Sequence, residues 1–265
     1  MKNVIIVGLG KAGWLHYKAY EKIERMGEVY FVDKVRTQKY FEKQQIYRNI
    51  TELINELNLK SDNVIVDICT PKEEFQNIIS ESIDCGIENI LIEKPFCVDE
   101  NFFIKKKKLN IIMVENYKVS KITQEIKKII EKKNYNIKFI YTNFSKSRIS
   151  DTLNGRGVSK TITSNFEIEI PHQIYVVNFI LNRNNFKRQK VVYCKTKDLK
   201  IDNVVLKNHA YGLIEIRKDN VVVKHESDLT TNILRKEIEI RCENNILILA
   251  NYILYDFELN IIQNG

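Results

Sequence analysis

The chain has 265 residues, 44% hydrophobic and 29% charged, a balance that suits one large or two modest globular domains and excludes disorder and collagen-like repetition. No apolar run reaches the roughly 18–20 residues of a membrane span, and five scattered cysteines without C-x-x-C spacing exclude a disulfide framework and a zinc site, so no metal is expected. The net charge of +8 favours acidic small-molecule partners such as a dinucleotide or a sugar phosphate, while no nucleic-acid recognition motif accompanies it. The apolar residues 4–7 are followed closely by Lys11 and lack a small-residue cleavage site, so they do not read as a secretory leader; the expected compartment is a reducing cytoplasm.

In chain order, residues 4–7 form a continuous apolar run ending in glycines, the pattern of a buried parallel strand. A helix over 14–26, a strand over 29–33 and a short strand at Ile46-Tyr47 follow. A helix then starts at Thr51, with Leu53, Ile54 and Leu57 on one side. Strand 63–69 closes in Thr70-Pro71, and then come helix 73–84, strand 89–92, helix 99–108 and strand 111–114. The Lys105–Lys108 run suits a solvated helix end. This alternation predicts an α/β fold with a doubly wound parallel Rossmann sheet over residues 1–118.

Residues 120–133 read as a helix joining two domains. Beyond them 137–144, 191–197, 211–217, 221–225, 236–241 and 246–251 are strand-like, with Asp219-Asn220 as a hairpin turn. One helix, 171–181, carries Pro171 in its first turn, and 145–164 reads as a polar loop bordering substrate. Residues 119–265 are therefore expected to form an α+β domain with a mostly antiparallel open sheet.

Gly8-Leu9-Gly10-Lys11-Ala12-Gly13 is a G-x-G-x-x-G between a strand and a helix. Gly8 permits the tight turn, Gly10 lets backbone approach a pyrophosphate, and Gly13 lets helix and strand pack closely. The helix start offers N–H donors to the phosphates. Asp33 follows Gly13 by twenty residues, where a carboxylate accepts from ribose hydroxyls and repels a 2′-phosphate. This favours NAD over NADP, with Arg36 as the residue that would admit NADP.

Beyond that loop, with His16 behind it, Cys69-Thr70-Pro71 closes the fourth strand and Glu93-Lys94-Pro95 follows the fifth. Glu115-Asn116-Tyr117 and a helix opened by His172 come next. Taken in that order along essentially the whole chain, these motifs resemble the glucose-fructose oxidoreductase/inositol dehydrogenase/MocA family, E-K-P being the most specific. The resemblance implies cofactor contacts from Thr70, Pro71, Glu93 and Lys94, and catalytic roles for Lys94 and His172. It further implies a small sugar-like substrate, phosphorylated or not, and a homo-oligomer joined through the open sheet. The family's Asp four residues before the histidine is Ile168 here, and Glu169 or Glu167 is its candidate replacement. Alternation of Phe166, Ile168 and Ile170 would instead send both glutamates to solvent. The histidine often found four residues past C-T-P is Phe75.

Hydride transfer from an alcohol carbon needs a group that takes the hydroxyl proton and a donor that steadies the developing oxyanion. His172 suits the first role and Lys94 the second. Tyr117 is a candidate for the nicotinamide pocket, His16 for a cofactor contact or packing, and His209 and His225 for structural roles. The reading is an NAD-dependent oxidoreductase acting on a sugar, cyclitol or nucleotide-sugar hydroxyl. A reductase of a ketone, imine or linear pyrrole and a non-catalytic NAD-binding regulator remain open beside it.

Overall fold

The computed structural model describes residues 1–35, 41, 44–94, 109–153, 164–182, 188–252 and 259–263. Arg36, Pro95, Cys97, the expected helix over 99–108 with its lysine run, and residues 154–163 of the expected loop lie outside the described residues. The chain divides into two units, Met1–Val114 and Glu115–Gly265.

In the first unit β1 (Asn3–Val7), β2 (Val29–Val32), β3 (Ile46–Tyr47), β4 (Val64–Ile68), β5 (Asn89–Ile92) and β6 (Asn110–Met113) are all parallel. Their spatial order is β3-β2-β1-β4-β5-β6, that of a doubly wound Rossmann sheet, with the switch point between β1 and β4. Alternate residues of β1 serve two cores. Ile5 and Val7 join Leu53, Val66, Phe75 and Ile79 on one face, while Val4 and Ile6 join Phe31 and Phe41 on the other. Burial on both faces is why β1 reads as an unbroken apolar run, and each such side chain contributes about 1.5–3 kcal/mol.

Helix Lys11–Tyr20 begins three residues earlier than the periodicity suggests, with Gly10 itself as its N-cap, and ends six earlier at Tyr20. Helix Ile50–Leu57 is capped by Asn49, whose side chain accepts from the Glu52 N–H at 2.8 Å, while Glu52 accepts from the Arg48 N–H. That is a reciprocal cap close to the capping box. Phe75, at the start of helix Phe75–Asp84, is buried in the core.

In the second unit β7 (Ile137–Ser145), β8 (Gln189–Ile201), β9 (Val204–Lys218), β10 (Val221–Asp228), β11 (Arg235–Cys242), β12 (Ile246–Asn251) and β13 (Leu259–Gln263) form one sheet. Its order is β13-β12-β11-β7-β10-β9-β8, and every pair but β7–β10 is antiparallel. Helices Lys121–Lys133 and Ile170–Ile180 cover one face, around Ile126, Val177, Val223, Ile240 and Ile248.

Turns follow asparagine and aspartate. Asn244 and Asn245 both have positive φ in the β11–β12 hairpin, and Asp219 takes φ 49° between β9 and β10. The β8–β9 hairpin is longer than expected, extending to a turn at Asp202 (φ 49°). Its outer residues are exposed on both faces and carry no alternation to read. The expected loop contains a short helix, Ile149–Leu153, and a helical turn, Asn165–Ile168, precedes helix Ile170–Ile180. Among the described residues no helix is long and apolar enough to cross a membrane.

Candidate functional site

In the first unit the expected cofactor residues gather at the carboxyl ends of β1, β2, β4 and β5, the edge where doubly wound sheets bind ligands. Gly8 has φ +94°, and a Cβ there would sit 2.7 Å from Thr70 Cγ2 and 2.9 Å from the Cys69 backbone. At Gly13 a Cβ would lie 2.2 Å from the Gly8 carbonyl oxygen, so helix and loop meet this closely only because residue 13 is glycine. A Cβ at Gly10 would meet no atom of the described residues within 4 Å, so their packing does not require glycine there. Lys11 and Ala12 form the first turn of the helix that follows.

Asp33 closes β2 and fixes the loop. Its Oδ2 accepts from the Leu9 N–H at 2.8 Å and its Oδ1 from the Val35 N–H at 2.9 Å, so each oxygen keeps further acceptor capacity. Beside Gly8, the buried Thr70 Oγ1 has no hydrogen-bond partner among the described residues. Pro71 leads into the 3-10 turn Lys72–Glu74.

His16 is neither surface nor simple packing. Its Nδ1 lies 2.8 Å from Asp67 Oδ2 and 3.2 Å from Cys69 Sγ, and its Nε2 lies 3.0 Å from Glu93 Oε1. Tyr20 donates to the same Asp67 oxygen at 2.8 Å. Burial alone would lower the histidine's pKa, but Asp67, Cys69 and Glu93 together raise it to about 12. Burial pushes the Cys69 thiol up to about 12, so it stays protonated at neutral pH. His16, Asp67 and Cys69 have the composition of a metal-ligand set, with donor atoms within 4.8 Å of one another. Their spacing is that of hydrogen bonds, which account for all three. Glu93 Oε2 also accepts from the Lys94 N–H at 3.2 Å, so the network reaches the turn that carries Lys94.

In the second unit Glu169, His172 and Tyr117 come together. The Tyr117 ring packs edge-on against His172 (centroids 5.2 Å apart) and against Phe144 at 4.9 Å, and Lys236 Nζ lies over it at 5.1 Å. Glu169 is 1% exposed, because its segment is helical where alternation would have sent it to solvent. Its Oε2 accepts from Lys236 Nζ at 2.6 Å, and its Oε1 from Lys146 Nζ at 3.0 Å and Arg148 Nη2 at 3.1 Å. Burial alone would raise the carboxyl's pKa, but Lys236 and Lys146 hold it well below the usual carboxylate range, and His172 adds to the effect. Burial lowers the pKa of both lysines, and Glu169 opposes that.

Lys146, Arg148 and Lys236 join this cluster through Glu169, and the sequence reading did not name them. Lys236 had a signal, since it occupies an inward position of β11 in register with Ile238, Ile240 and Cys242. His209 and His225 are fully buried, bonded to Thr152 Oγ1 at 3.1 Å and Thr142 Oγ1 at 2.7 Å. Burial, with Lys218 nearby, lowers the His225 pKa to about 3.

No family model and no curated protein matches the sequence. Solved structures do. The WlbA dehydrogenase from Bordetella pertussis, in complex with NADH and UDP-GlcNAcA, is 14% identical with a TM-score of 0.77 over 100% of this chain and 83% of its own. A myo-inositol dehydrogenase from Corynebacterium glutamicum is 13% identical, with a TM-score of 0.71 over 97% of this chain and 77% of its own. The UDP-N-acetylglucosamine 3-dehydrogenase GnnA from Acidithiobacillus ferrooxidans is 12% identical, with a TM-score of 0.68 over 99% and 83%. The chain has the fold of these dehydrogenases, which are of the glucose-fructose oxidoreductase/inositol dehydrogenase/MocA type.

Proposed function

We propose that the protein is an NAD-dependent oxidoreductase acting on a hydroxyl, or the corresponding ketone, of a sugar, cyclitol or nucleotide sugar. The observation that carries this reading is the joined geometry of Gly8, Asp33 and Thr70 at the switch point of the parallel sheet. The residues fit a dinucleotide. Gly10 leaves backbone approachable, Asp33 keeps acceptor capacity for ribose hydroxyls, and Thr70 Oγ1 is a buried group that a ligand would satisfy. NADH in the WlbA structure and sugar-type ligands and names among its neighbours support the same choice.

The dinucleotide supplies the hydride acceptor or donor at its nicotinamide. Within the chain, the start of helix Lys11–Tyr20 would hold the phosphates and Asp33 would select the ribose. Glu93, steadied by His16, sets the Lys94 turn. In the first unit Lys94 would stabilise a substrate oxygen; in the second His172, with Tyr117 packed on its ring, would take or return a hydroxyl proton. Glu169, bonded to Lys236, Lys146 and Arg148, would act beside His172 as a positioning group and not carry the proton. A cytoplasmic setting and a second copy of the chain packed on the open sheet belong to the same reading. Exposed Val191, Val192 and Tyr193 on β8 would supply that face.

The test is NADH formation over a panel of sugars, cyclitols and nucleotide sugars, with Lys94→Ala as control. NAD binding without turnover on any of them would mark a sensor and sink the enzyme reading.

A further inference from the structure

Among the described residues of the second unit, the cations that bond Glu169 outnumber the carboxylates that meet them. Lys146, Arg148 and Lys236 all bond to Glu169, and Asp151 meets Arg148 Nη1 at 3.1 Å. Among the described residues these contacts set three positive charges against two negative ones. The cluster has a buried floor, the pair Lys236–Glu169, both nearly inaccessible. Above it Lys146 and Arg148 reach solvent, with side chains 32% and 26% exposed.

Both of these cations are drawn to one oxygen, Glu169 Oε1, at 3.0 and 3.1 Å. One carboxylate oxygen therefore holds an ammonium and a guanidinium side by side against their mutual repulsion. Each retains donors: the ammonium offers three N–H bonds and the guanidinium five. The Arg148 Nε, buried, has no acceptor among the described residues. An arrangement made only for stability would match charge with charge, because an unbalanced cation in a half-buried site is costly. The cluster also lies beside His172. Glu169 is three residues ahead of it and feels its charge, and Tyr117 packs on both His172 and Lys236.

We propose that Lys146 and Arg148 form a subsite for an anionic substituent, a carboxylate or a phosphate, carried by the sugar-like substrate. That the rest of the substrate is sugar-like rests on the dehydrogenase reading; the anion rests on the charge arrangement alone. A planar guanidinium beside an ammonium suits either group, pairing two oxygens while the lysine adds a third contact.

The experiment is calorimetry on the full chain with NADH present, in phosphate-free buffer of low ionic strength. Three matched pairs are titrated: glucuronate against glucose, glucose 6-phosphate against glucose, and UDP-glucuronate against UDP-glucose. At least one acid should bind about tenfold to a hundredfold more tightly than its neutral partner, the scale of one or two charge-assisted hydrogen bonds. The pair that shows the preference separates carboxylate from phosphate. In Lys146→Gln and in Arg148→Gln, each checked for folding by circular dichroism, the ratio of acid to neutral affinity should fall towards one. If no acid outbinds its neutral partner in the unmodified protein, the proposal is overturned whether or not either variant folds. A preference that survives in a folded variant overturns that residue's part. Turnover on neutral sugars without any acid preference removes this subsite and leaves the dehydrogenase standing. Acid preference lost in the variants, with no NAD-linked turnover on any substrate, does the reverse.

Discussion

Nε2 of His16 lies 3.0 Å from Oε1 of Glu93 while Nδ1 of the same ring lies 2.8 Å from Oδ2 of Asp67, so one imidazole joins the ends of β4 and β5. A ring that donates to two carboxylates at once must be protonated, which agrees with a pKa raised to about 12 despite burial. A raised folded-state value gives stability that is fully present below the unfolded value of 6.5 and is lost as pH climbs towards 12. His16→Ala leaves Asp67 buried with one counter-charge fewer and should cost about 3 kcal/mol near neutrality. Urea unfolding should show the gap to the unmodified protein narrowing between pH 7 and pH 10. A gap that does not change with pH would mean the ring is neutral.

The bond from the Leu9 N–H to Asp33 Oδ2 sets the second expectation. The carboxylate is anchored at the mouth of the glycine loop, where it would meet ribose hydroxyls and oppose an added phosphate. NAD(H) should therefore bind more tightly than NADP(H), and Asp33→Ser should erase most of the difference by weakening NAD(H) about tenfold. Calorimetry that finds NADP(H) equal or tighter in the unmodified protein rules this out.

The geometry of the glycine loop and of Asp33 was legible because its demands are local. A tight turn at Gly8, close packing at Gly13 and a carboxylate at the end of the next strand are properties of short stretches of chain, and the spacing of strands and helices supplied the rest. The cationic cluster was not legible, because Lys146, Arg148, Glu169 and Lys236 sit in segments that only the folded sheet brings together. For Glu169 the sequence left two readings open, a site residue or a solvent-facing one, for a related reason. Alternation in Phe166, Ile168 and Ile170 suggests an extended segment, whereas two short helical stretches turn the carboxylate inward. The role of His16 was equally hidden, since its partners Asp67 and Glu93 come from two different strand ends.

His172 and Lys94 carry the third expectation. With Tyr117 packed edge-on to its ring, His172 is held in one orientation, as a proton acceptor in hydride transfer requires. His172→Ala should lower turnover by about 10²–10⁴-fold while NAD affinity stays nearly unchanged. Lys94→Ala should show a loss of similar size, through kcat more than KM if the lysine acts on developing charge. A His172→Ala enzyme with unaltered kcat would move the proton transfer to another group, with Tyr117 the first to examine.

Glu169 bears on stability as much as on the site. Its carboxylate is buried and accepts from Lys236, Lys146 and Arg148, so it remains ionised well below the ordinary range despite the burial that opposes this. A depressed folded-state pKa contributes stability that is present above the unfolded value of 4.5 and is lost as pH falls through the folded one. Glu169→Gln keeps the shape but leaves Lys236 buried without its counter-ion, and should cost about 3–5 kcal/mol at pH 7. The gap between variant and unmodified protein should shrink once the pH drops below 4.5, where the charge that distinguishes them is being titrated away in the unfolded chain. Adding Lys236→Met to Glu169→Gln removes the orphaned ammonium as well. The double variant should then be destabilised by less than the two single variants combined, because the residues share one ion pair. Strict additivity in chemical denaturation, or a Glu169→Gln protein as stable as the unmodified one, would show that the pair contributes little and that the cations are balanced by other groups.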